Sequence, residues 1–288
     1  MSGVESEFRF PLADTALRAL VQEALHEDHA EHDVTTLATV DASRRASARL
    51  VARDAGVIAG VPLALEAFRL ADPDVQIRTE RADGSSVHPG DTVLHISGHA
   101  RGILAAERTA LNFMQRLSGV ASLTRRYVDL VKGTRAAILD TRKTTPGWRL
   151  LEKYAVRCGG GTNHRMDLAS AVLIKDNHLA AVDGNVGTAV RRVREFATSG
   201  IPVQVECDTL EQLRAAIAAG ADSVLLDNMS VEQMREAVTI AAGQVMTEAS
   251  GGVRLDTVRA IAESGVDRIS VGALTHSAPA LNLALDFE

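Results

Sequence analysis

Residues 203–248 have the sequence VQVECDTLEQLRAAIAAGADSVLLDNMSVEQMREAVTIAAGQVMTE. Three short apolar runs in this stretch each end on an acid, at Glu206, Asp227 and Glu248, and successive acids are 21 positions apart. The segments between the runs have helical patterns, and each is closed by a glycine. Strands that alternate with helices at this spacing predict βα units and a parallel sheet, as in an α/β barrel.

The alternation extends to both sides of this stretch. Further apolar runs predict strands at 136–140, 171–175 and 268–272. The resulting six strands are fewer than a complete barrel has. We therefore expect an α/β fold with an incomplete, open barrel over residues 118–277.

Residues 1–117 have a different pattern, which predicts a smaller N-terminal α/β sandwich domain. Asp14 is a candidate cap for an amphipathic helix, and β-rich runs at 48–60 and 91–97 are broken by Gly and Pro. At the other end of the chain, leucines alternate with polar or small residues in the manner of a half-buried strand. We expect this strand, within residues 278–288, to return to the N-terminal domain and complete it.

A further helix is predicted over residues 103–117. Its apolar positions recur at helical spacing, while Arg108, Asn112 and Gln115 share another face. From the residues alone, this polar face is interpreted as a solvated surface.

The composition excludes several classes of protein. Hydrophobic residues make up 46% of the chain and charged residues 24%, which is typical of a globular protein. Aromatic residues make up only 3% and the formal net charge is −6, so the chain lacks the stacking platforms and basic surface of most nucleic-acid-binding proteins. We expect no nucleic-acid partner.

Membrane insertion and export are also disfavoured. No stretch approaches about 18 uninterrupted apolar residues, and residues 1–10 lack the basic and apolar regions of a signal peptide. The two cysteines, Cys158 and Cys207, are too sparse for a disulfide framework and lack zinc-site spacing. A reducing, cytoplasmic location fits these features.

The charge reverses its sign locally in residues 140–175. This segment has seven Lys/Arg against three acids, a charge of +4 inside a chain of −6. It begins with DTRKTTPG at 140–147, directly after a predicted strand, so two cations and three hydroxyls follow the strand end. Phosphates or carboxylates are the natural ligands of such a segment.

Charged and small residues follow every predicted barrel strand. The early strands end near cations and the later ones near carboxylates, and in a parallel barrel all of these meet at one mouth. Such a mouth can hold a polyanion on one side and a divalent metal or sugar hydroxyls on the other. Ser250-Gly251-Gly252 and Gly272-Ala273 follow late strands, where barrel enzymes form phosphate sites from backbone N–H groups.

Taken together, these motifs resemble the quinolinate phosphoribosyltransferase family over nearly the whole chain. The matching strings are ERTALN at 107–112, DTRKTTPG at 140–147, EKYAVR at 152–157, GGGTNHR at 159–165, LIKDNH at 173–178, LLDN at 225–228, EASGG at 248–252 and GALTHS at 272–277. The resemblance implies conversion of quinolinate and phosphoribosyl pyrophosphate to nicotinate mononucleotide, pyrophosphate and CO₂ in de novo NAD biosynthesis. It also implies Mg²⁺ as cofactor and a homodimer whose sites are shared between subunits.

The resemblance assigns roles residue by residue. The two quinolinate carboxylates would be bound by Arg142, His164, Arg165 and Lys175, with Arg108 reaching in from the neighbouring subunit. Lys143 would bind the phosphorylated sugar, and Glu206 and Asp227 would hold its hydroxyls and the metal. The backbone at Ser250, Gly251, Gly272 and Ala273 would seat the 5-phosphate, and Thr141 would shape the pocket.

Two positions depart from the family pattern as we expect it: Asp167 stands where Gly is usual, and Ser170 stands where an acid is common. Their effect is open at this point, as is the protonation state of His164. Three alternative functions also remain open. They are a sister phosphoribosyltransferase with another acceptor, an aldolase with Lys175 as a Schiff-base lysine, and a non-catalytic phosphosugar-binding module.

Overall fold

The protein is described from a computed structural model that covers residues 8–197 and 200–288. Most of the N-terminal segment that we considered as an export signal, residues 1–7, lies outside the described residues. The chain packs as two compact units. The first contains the residues up to Arg125 together with Thr145–Gly160 and Ser277–Glu288, and the second contains Arg126–Thr144 and Gly161–His276.

The first unit is built on a four-stranded antiparallel sheet with the order β12-β1-β5-β3 and a separate two-stranded pair, β2-β4. Its strands are β1 (Arg45–Ala52), β2 (Gly56–Val57), β3 (Gln76–Thr79), β4 (Ser86–Val87), β5 (Thr92–His99) and β12 (Leu283–Phe287). Its helices are α1 (Asp14–Glu27), α2 (Val34–Thr39), α3 (Val61–Ala71), α4 (Ala100–Leu130) and α5 (Arg149–Cys158), with a 3₁₀ turn at Ala30–His32. Helix α4 extends past the unit boundary at Arg125.

The C-terminal strand returns to this unit. Strand β12 pairs antiparallel with β1, with Leu285 opposite Leu50. Gln115 on α4 donates its side-chain amide to the carbonyl of Leu283 at 2.8 Å. Part of the polar face predicted to be solvated is therefore used to hold the last strand.

Two sequence expectations about these helices need correction. Asp14 does not cap α1 but is its first residue, and the N-cap position is Ala13, which makes no side-chain capping bond. The helix predicted over 103–117 is part of the much longer α4. Its apolar stripe continues because Val120, Ala121 and Leu123 are also buried.

The second unit is a six-stranded parallel sheet with the order β6-β11-β10-β9-β8-β7. The strands are β6 (Ala137–Leu139), β7 (Val172–Ile174), β8 (Val203–Cys207), β9 (Ser223–Asp227), β10 (Met246–Ser250) and β11 (Arg268–Ser270). The helices are α6 (Asp176–Ala180), α7 (Val186–Phe196), α8 (Leu210–Ala218), α9 (Val231–Ala241), α10 (Val258–Ala262) and α11 (Ala273–His276).

This strand order is that of an open α/β barrel. The first strand of the unit, β6, pairs with the last strand, β11. Strands β6 and β7 form the two edges of the sheet and do not pair with each other. The chain between these edges includes Thr145–Gly160, which packs with the first unit rather than on the sheet. The predicted fold class, an α/β protein with an incomplete barrel and a smaller domain, is confirmed.

The compact units differ from the expected domain bounds in two segments and at one further residue, Ser277, which belongs to the first unit. Residues 118–125 and 145–160 belong to the first unit, although the sequence placed both in the barrel. The expected division at 117/118 falls inside α4, where a continuous helix gives no local signal of a boundary.

The regular spacing of the barrel comes from matched helix caps. Thr209 and Ser230 each accept a hydrogen bond from the backbone of the glutamine three positions later, and each glutamine side chain bonds back to the cap backbone. These capping boxes satisfy backbone donors that a helix start leaves open. They begin α8 and α9 at equivalent points after β8 and β9.

Candidate functional site

Register and alternation divide the barrel sheet into two faces. Glu206 pairs with Leu225, and Leu225 pairs with Glu248, so these three side chains point to the same side. Residues two positions away share that side, which therefore also carries Gln204, Asp227 and Ser250. The opposite side carries the fully buried apolar residues Val203, Val205, Val224, Leu226 and Ala249.

Most of the predicted site residues lie at the carboxyl ends of the barrel strands. Those that follow or end a strand of the second unit are Thr141, Arg142, Lys143, Lys175, Glu206, Asp227, Ser250, Gly251, Gly272 and Ala273. His164 and Arg165 lie on the loop between β6 and β7 in the same unit. Arg108 is the exception, because it is exposed on α4 in the first unit.

The loop that carries His164 and Arg165 extends the sheet beyond β6. Thr162 donates its N–H to the carbonyl of Ile138 at 2.8 Å, and its own carbonyl accepts the N–H of Asp140 at 3.2 Å. The fully buried Asp140 carboxylate accepts the His164 N–H at 2.9 Å and the side-chain amide of Asn163 at 2.5 Å. Asp140 therefore fixes the start of the cationic loop.

Two guanidinium groups at this mouth interact electrostatically. Burial lowers the pKa of Arg165, and the positive charge of Arg142 lowers it further, while Asp167 opposes the shift. The Arg165 guanidinium also donates to the carbonyl of Ala171 at 2.9 Å, just before β7. Neighbouring like charges repel, so the arrangement favours an anion that binds to both.

Lys175 connects the cationic part of the mouth to the acidic part. Its ammonium lies 2.8 Å from a Glu206 carboxylate oxygen, and the side chains are 46% and 9% exposed. The lysine end of this ion pair is thus accessible to solvent, whereas the carboxylate is held at the sheet. Asp227, on the neighbouring strand, accepts a hydrogen bond from the side chain of Asn228 at 2.7 Å.

Lys143 is positioned by the segment after β11. The hydroxyl of the buried Thr275 donates to the Lys143 carbonyl at 2.7 Å. A Cβ atom on Gly272 would lie 3.2 Å from the Lys143 Cδ. Glycine at this position therefore leaves room for the aliphatic part of the lysine.

The loop after β10, which is predicted to bind a phosphate through its backbone, packs against Asn228. The Asn228 N–H donates to the Ser250 carbonyl at 3.0 Å, with Asn228 in the left-handed region at φ 54°. Gly251 has φ +91°, and a Cβ atom there would lie 2.2 Å from the Asn228 Oδ1. Sequence reasoning gave Asn228 no role, and its only local signal is an asparagine directly after a strand.

A buried hydrogen-bonded chain lies behind the cationic loop. The carboxylate of Glu248, 1% exposed, accepts from the Gln204 amide at 3.0 Å. His164 Nε2 lies 3.2 Å from Gln204 Oε1 and 3.4 Å from Glu248 Oε1. His164 Nδ1 accepts the backbone N–H of Arg165 at 2.7 Å. Sequence reasoning counted Glu248 only among the acids at strand ends and gave Gln204 no role.

The electrostatics of Glu248 follow from this chain. Burial would raise the pKa of the carboxyl group, but hydrogen bonds from His164, Gln204 and Ser270 outweigh it. The pKa of Glu248 is therefore lowered from its ordinary value. A buried carboxylate that stays ionised is an acceptor only.

The two departures from the family pattern bond to each other. The Asp167 carboxylate accepts the backbone N–H groups of Ala169 at 2.9 Å and Ser170 at 2.8 Å. The Ser170 hydroxyl accepts the N–H of Asp167 at 3.4 Å. The pair forms a turn, and the Asp167 charge acts on Arg165 as described above.

The carboxylates of Glu206 and Asp227 supply oxygen ligands of the kind that Mg²⁺ prefers. Within residues 8–197 and 200–288, the one group of three close His, Cys, Asp or Glu ligands is elsewhere, at Asp72, Asp74 and His99 in the first unit. There, the buried Asp72 accepts the backbone N–H groups of His99 and Asp74, which is a structural role.

Across the same described ranges, none of the helices has both the length and the apolar composition needed to span a bilayer.

Comparison with known proteins identifies the family. Residues 33–118 match "Quinolinate phosphoribosyl transferase, N-terminal domain", and residues 120–286 match the corresponding C-terminal domain. The chain is 47% identical over 279 residues to the nicotinate-nucleotide pyrophosphorylase [carboxylating] of Mycobacterium leprae, covering 94% of this chain and 97% of the relative. It is 40% identical over 270 residues to the probable enzyme of that name from Bacillus subtilis, covering 94% and 93%.

Solved structures agree with the sequence comparison. The nicotinate-nucleotide pyrophosphorylase from Francisella tularensis superposes with a TM-score of 0.91 at 40% identity, covering 97% of this chain and 99% of the other. A Streptococcus pyogenes structure also gives a TM-score of 0.91, at 41% identity, covering 96% and 99%. The matches to both domains show that the chain belongs to the quinolinate phosphoribosyltransferase family.

Proposed function

We propose that this protein joins quinolinate to phosphoribosyl pyrophosphate and releases nicotinate mononucleotide, pyrophosphate and CO₂, the reaction of de novo NAD biosynthesis. The observation that carries the proposal is that Arg142 and Arg165 both lie beyond the end of β6 in the second unit, close enough for the charge of one to act on the other. Quinolinate has two adjacent carboxylates, so it can neutralise both cations at once. Bidentate carboxylate binding is what guanidinium geometry favours.

The remaining cations extend this recognition. The Lys175 side chain, directly after β7, is partly exposed, and we assign it to the same dicarboxylate. His164 has both ring nitrogens engaged with protein groups, which supports a role in shaping the pocket as much as one in direct contact. Thr141 accepts the N–H of Lys143 at 3.1 Å, which supports its role in holding the strand-end turn.

The sugar phosphate is assigned to the other side of the mouth. Lys143 would bind its phosphate, and Glu206 and Asp227 would bind the ribose hydroxyls. The backbone at Ser250, Gly251, Gly272 and Ala273 would seat the 5-phosphate, because loops after late barrel strands present N–H groups there. Support comes from the tight turn at Gly251 and the short helix that begins at Ala273.

The chemistry requires positioning and electrostatics rather than a covalent nucleophile. The pyridine nitrogen attacks the anomeric carbon, pyrophosphate leaves with the bonding electrons, and positive charge develops on the ribose. Glu206 and Asp227 would stabilise that charge, while nearby cations stabilise the leaving group. The ribosylated, cationic nitrogen then stabilises the carbanion left on the adjacent ring carbon when the 2-carboxylate leaves as CO₂, and that carbon takes up a proton from solvent to give nicotinate mononucleotide.

Magnesium is part of the proposal. Glu206 and Asp227 lie on one face of neighbouring strands, and two carboxylates together with substrate phosphates suit Mg²⁺. When bound, the ion would neutralise charge on the pyrophosphate.

We also propose a cytoplasmic homodimer in which Arg108 serves the site of the neighbouring subunit. Arg108 is exposed on α4, as a residue that reaches another subunit must be. Both cysteines are free and buried, and burial raises the pKa of each thiol to about 12. Unreactive thiols without a disulfide are compatible with a reducing compartment.

The Schiff-base alternative is disfavoured by the Lys175–Glu206 ion pair. Lys175 is partly exposed and lies against a carboxylate, whereas Schiff-base lysines are activated by desolvation or by a neighbouring cation. The sister-transferase alternative is distinguished by the acceptor, because only quinolinate would yield CO₂.

The test is release of CO₂ and formation of nicotinate mononucleotide by the purified protein with phosphoribosyl pyrophosphate and Mg²⁺. We expect both products in equal amounts from quinolinate. Nicotinate, which lacks the 2-carboxylate, should react roughly a hundredfold or more slowly because it leaves cations at the barrel mouth unpaired. Equal rates with the two acids, or binding of phosphoribosyl pyrophosphate without turnover, would contradict the proposal.

A further inference from the structure

The buried chain of Glu248, Gln204 and His164 has a defined hydrogen-bond direction. An ionised carboxylate can only accept, so the Gln204 atom that faces Glu248 must be the amide nitrogen. The amide oxygen of Gln204 then faces His164 Nε2, which must carry a proton to donate to it. The orientation of each group therefore depends on the carboxylate at the end of the chain.

The contact on the opposite side of the His164 ring requires the same proton position. His164 Nδ1 accepts the N–H of Arg165 at 2.7 Å, and a nitrogen that accepts this bond cannot also carry a proton. The ring is thus the Nε2-protonated tautomer. Two separate contacts, at opposite sides of the ring, require the same tautomer.

We propose that Glu248 is a positioning residue for quinolinate binding, which fixes the tautomer of His164 and thereby holds the backbone of Arg165 in place. The proposal rests on the proposed function for its link to quinolinate, but its statement about His164 does not. Glu248 lies on β10 and Gln204 on β8, so two strands of the sheet support the loop that carries His164. Arg165 directly follows His164 in the sequence, so its backbone is the one that the His164 ring contacts.

Replacing Glu248 by glutamine would remove the fixed direction. The new amide can present a donor to Gln204, whose own amide could then turn its nitrogen toward His164. The Nε2–H of His164 would then face the N–H of the Gln204 amide, so two donors would oppose each other. A shift of the proton to Nδ1 would remove this conflict but would place Nδ1–H against the backbone N–H of Arg165. Either arrangement leaves a buried donor unsatisfied.

The kinetic test compares Glu248→Gln with the exchange variant Glu248→Gln/Gln204→Glu. In the exchange variant a carboxylate at position 204 again accepts from His164 and from the amide at 248. We expect Glu248→Gln to raise the KM for quinolinate roughly tenfold to a hundredfold, with little change in the KM for phosphoribosyl pyrophosphate. The exchange variant should recover most of this loss. Glu236→Gln, at an exposed position on α9, is the matched control.

The spectroscopic test reads the tautomer directly. Imidazole ¹⁵N resonances distinguish the two tautomers, and a His164→Asn variant identifies the His164 signals. We expect Nε2–H in the wild type and in the exchange variant, and a mixed or shifted signal in Glu248→Gln.

Three results would overturn the inference: an Nδ1–H tautomer in the wild type, an unchanged quinolinate KM in Glu248→Gln, or equal rises in both KM values that the exchange does not recover. Failure of the wild type to use quinolinate would instead refute the proposed function, and the ¹⁵N signals would still decide the role of Glu248.

Discussion

Arg165 combines three properties that are rarely found in one surface arginine. It is partly buried, it lies near another guanidinium, and both its backbone and its side chain are held by hydrogen bonds. A charge held against a neighbouring like charge raises the free energy of the empty site. A ligand with two carboxylates relieves that repulsion. Loss of the repulsion therefore contributes to the free energy of ligand binding.

Substitution of Arg165 by alanine should therefore weaken catalysis strongly. Loss of one partner of a charge pair costs about 2 to 5 kcal/mol, and the partial exposure of Arg165 favours the lower end, or roughly thirtyfold in kcat/KM for quinolinate. Steady-state kinetics would measure this, with Arg192→Ala at an exposed position of α7 as control. Unchanged turnover of quinolinate would remove Arg165 from the site.

The sequence could reveal the cations but not the residues that hold them. The +4 segment at 140–175 is visible because charge can be counted along the chain. Glu248 and Gln204 are polar residues in short strands, and only their burial and mutual contacts distinguish them from a solvated sheet edge. Asn228 is similar, because its importance depends on the close approach of Gly251. Such roles depend on tertiary contacts that a single sequence does not contain.

At the scale of elements, the strands and helices of the barrel were largely predictable. The repeat of apolar run, acid and helix gave β8, β9 and β10 because each strand is buried and each helix is closed by glycine, with Gly220 and Gly243 at φ 78° and 74°. Prediction was weaker for an element that is longer than its local sequence pattern indicates. Helix α4 runs through the expected domain boundary, and its length is set by packing rather than by a stop signal.

The loop after β10 gives a test of one element. Gly251 and Gly252 both have positive φ, but a Cβ atom clashes only at Gly251, where it would lie 2.9 Å from the Asn228 backbone nitrogen. We expect Gly251→Ala to raise the KM for phosphoribosyl pyrophosphate at least about tenfold, since strain of about 1 to 3 kcal/mol must displace the loop.

Gly252→Ala is the matched control, because it has the backbone strain without a steric contact within 4 Å. It should have a smaller effect, of about 1 kcal/mol on stability. Equal kinetic defects in the two variants would show that conformation alone, and not the contact with Asn228, controls the loop.

At the scale of the whole molecule, Arg108 stands apart from the other residues of the proposed site. Every predicted residue except Arg108 belongs to the second unit. If Arg108 serves the neighbouring subunit, a homodimer contains two sites, and each needs residues from both chains. This arrangement can be tested without any structure of the dimer.

Mixed dimers should recover activity that neither parent variant has. Arg108→Ala and Arg165→Ala, unfolded and refolded together in equal amounts, should give about a quarter of wild-type activity, because half of random dimers contain one intact site of two. A mixture of Arg165→Ala and Lys175→Ala is the control, since both residues lie in the second unit and no intact site can form. Absence of recovery in the first mixture would place Arg108 in its own subunit's site or outside the site.

The most direct measurement is a crystal structure of the protein with quinolinate bound. We predict that the two carboxylates lie against the guanidinium groups of Arg142 and Arg165, at the carboxyl ends of the barrel strands, with the pyridine nitrogen directed toward Glu206 and Asp227. Quinolinate bound elsewhere, or at the mouth with its carboxylates directed away from both arginines, would contradict the assignment of this cationic pair as the dicarboxylate site.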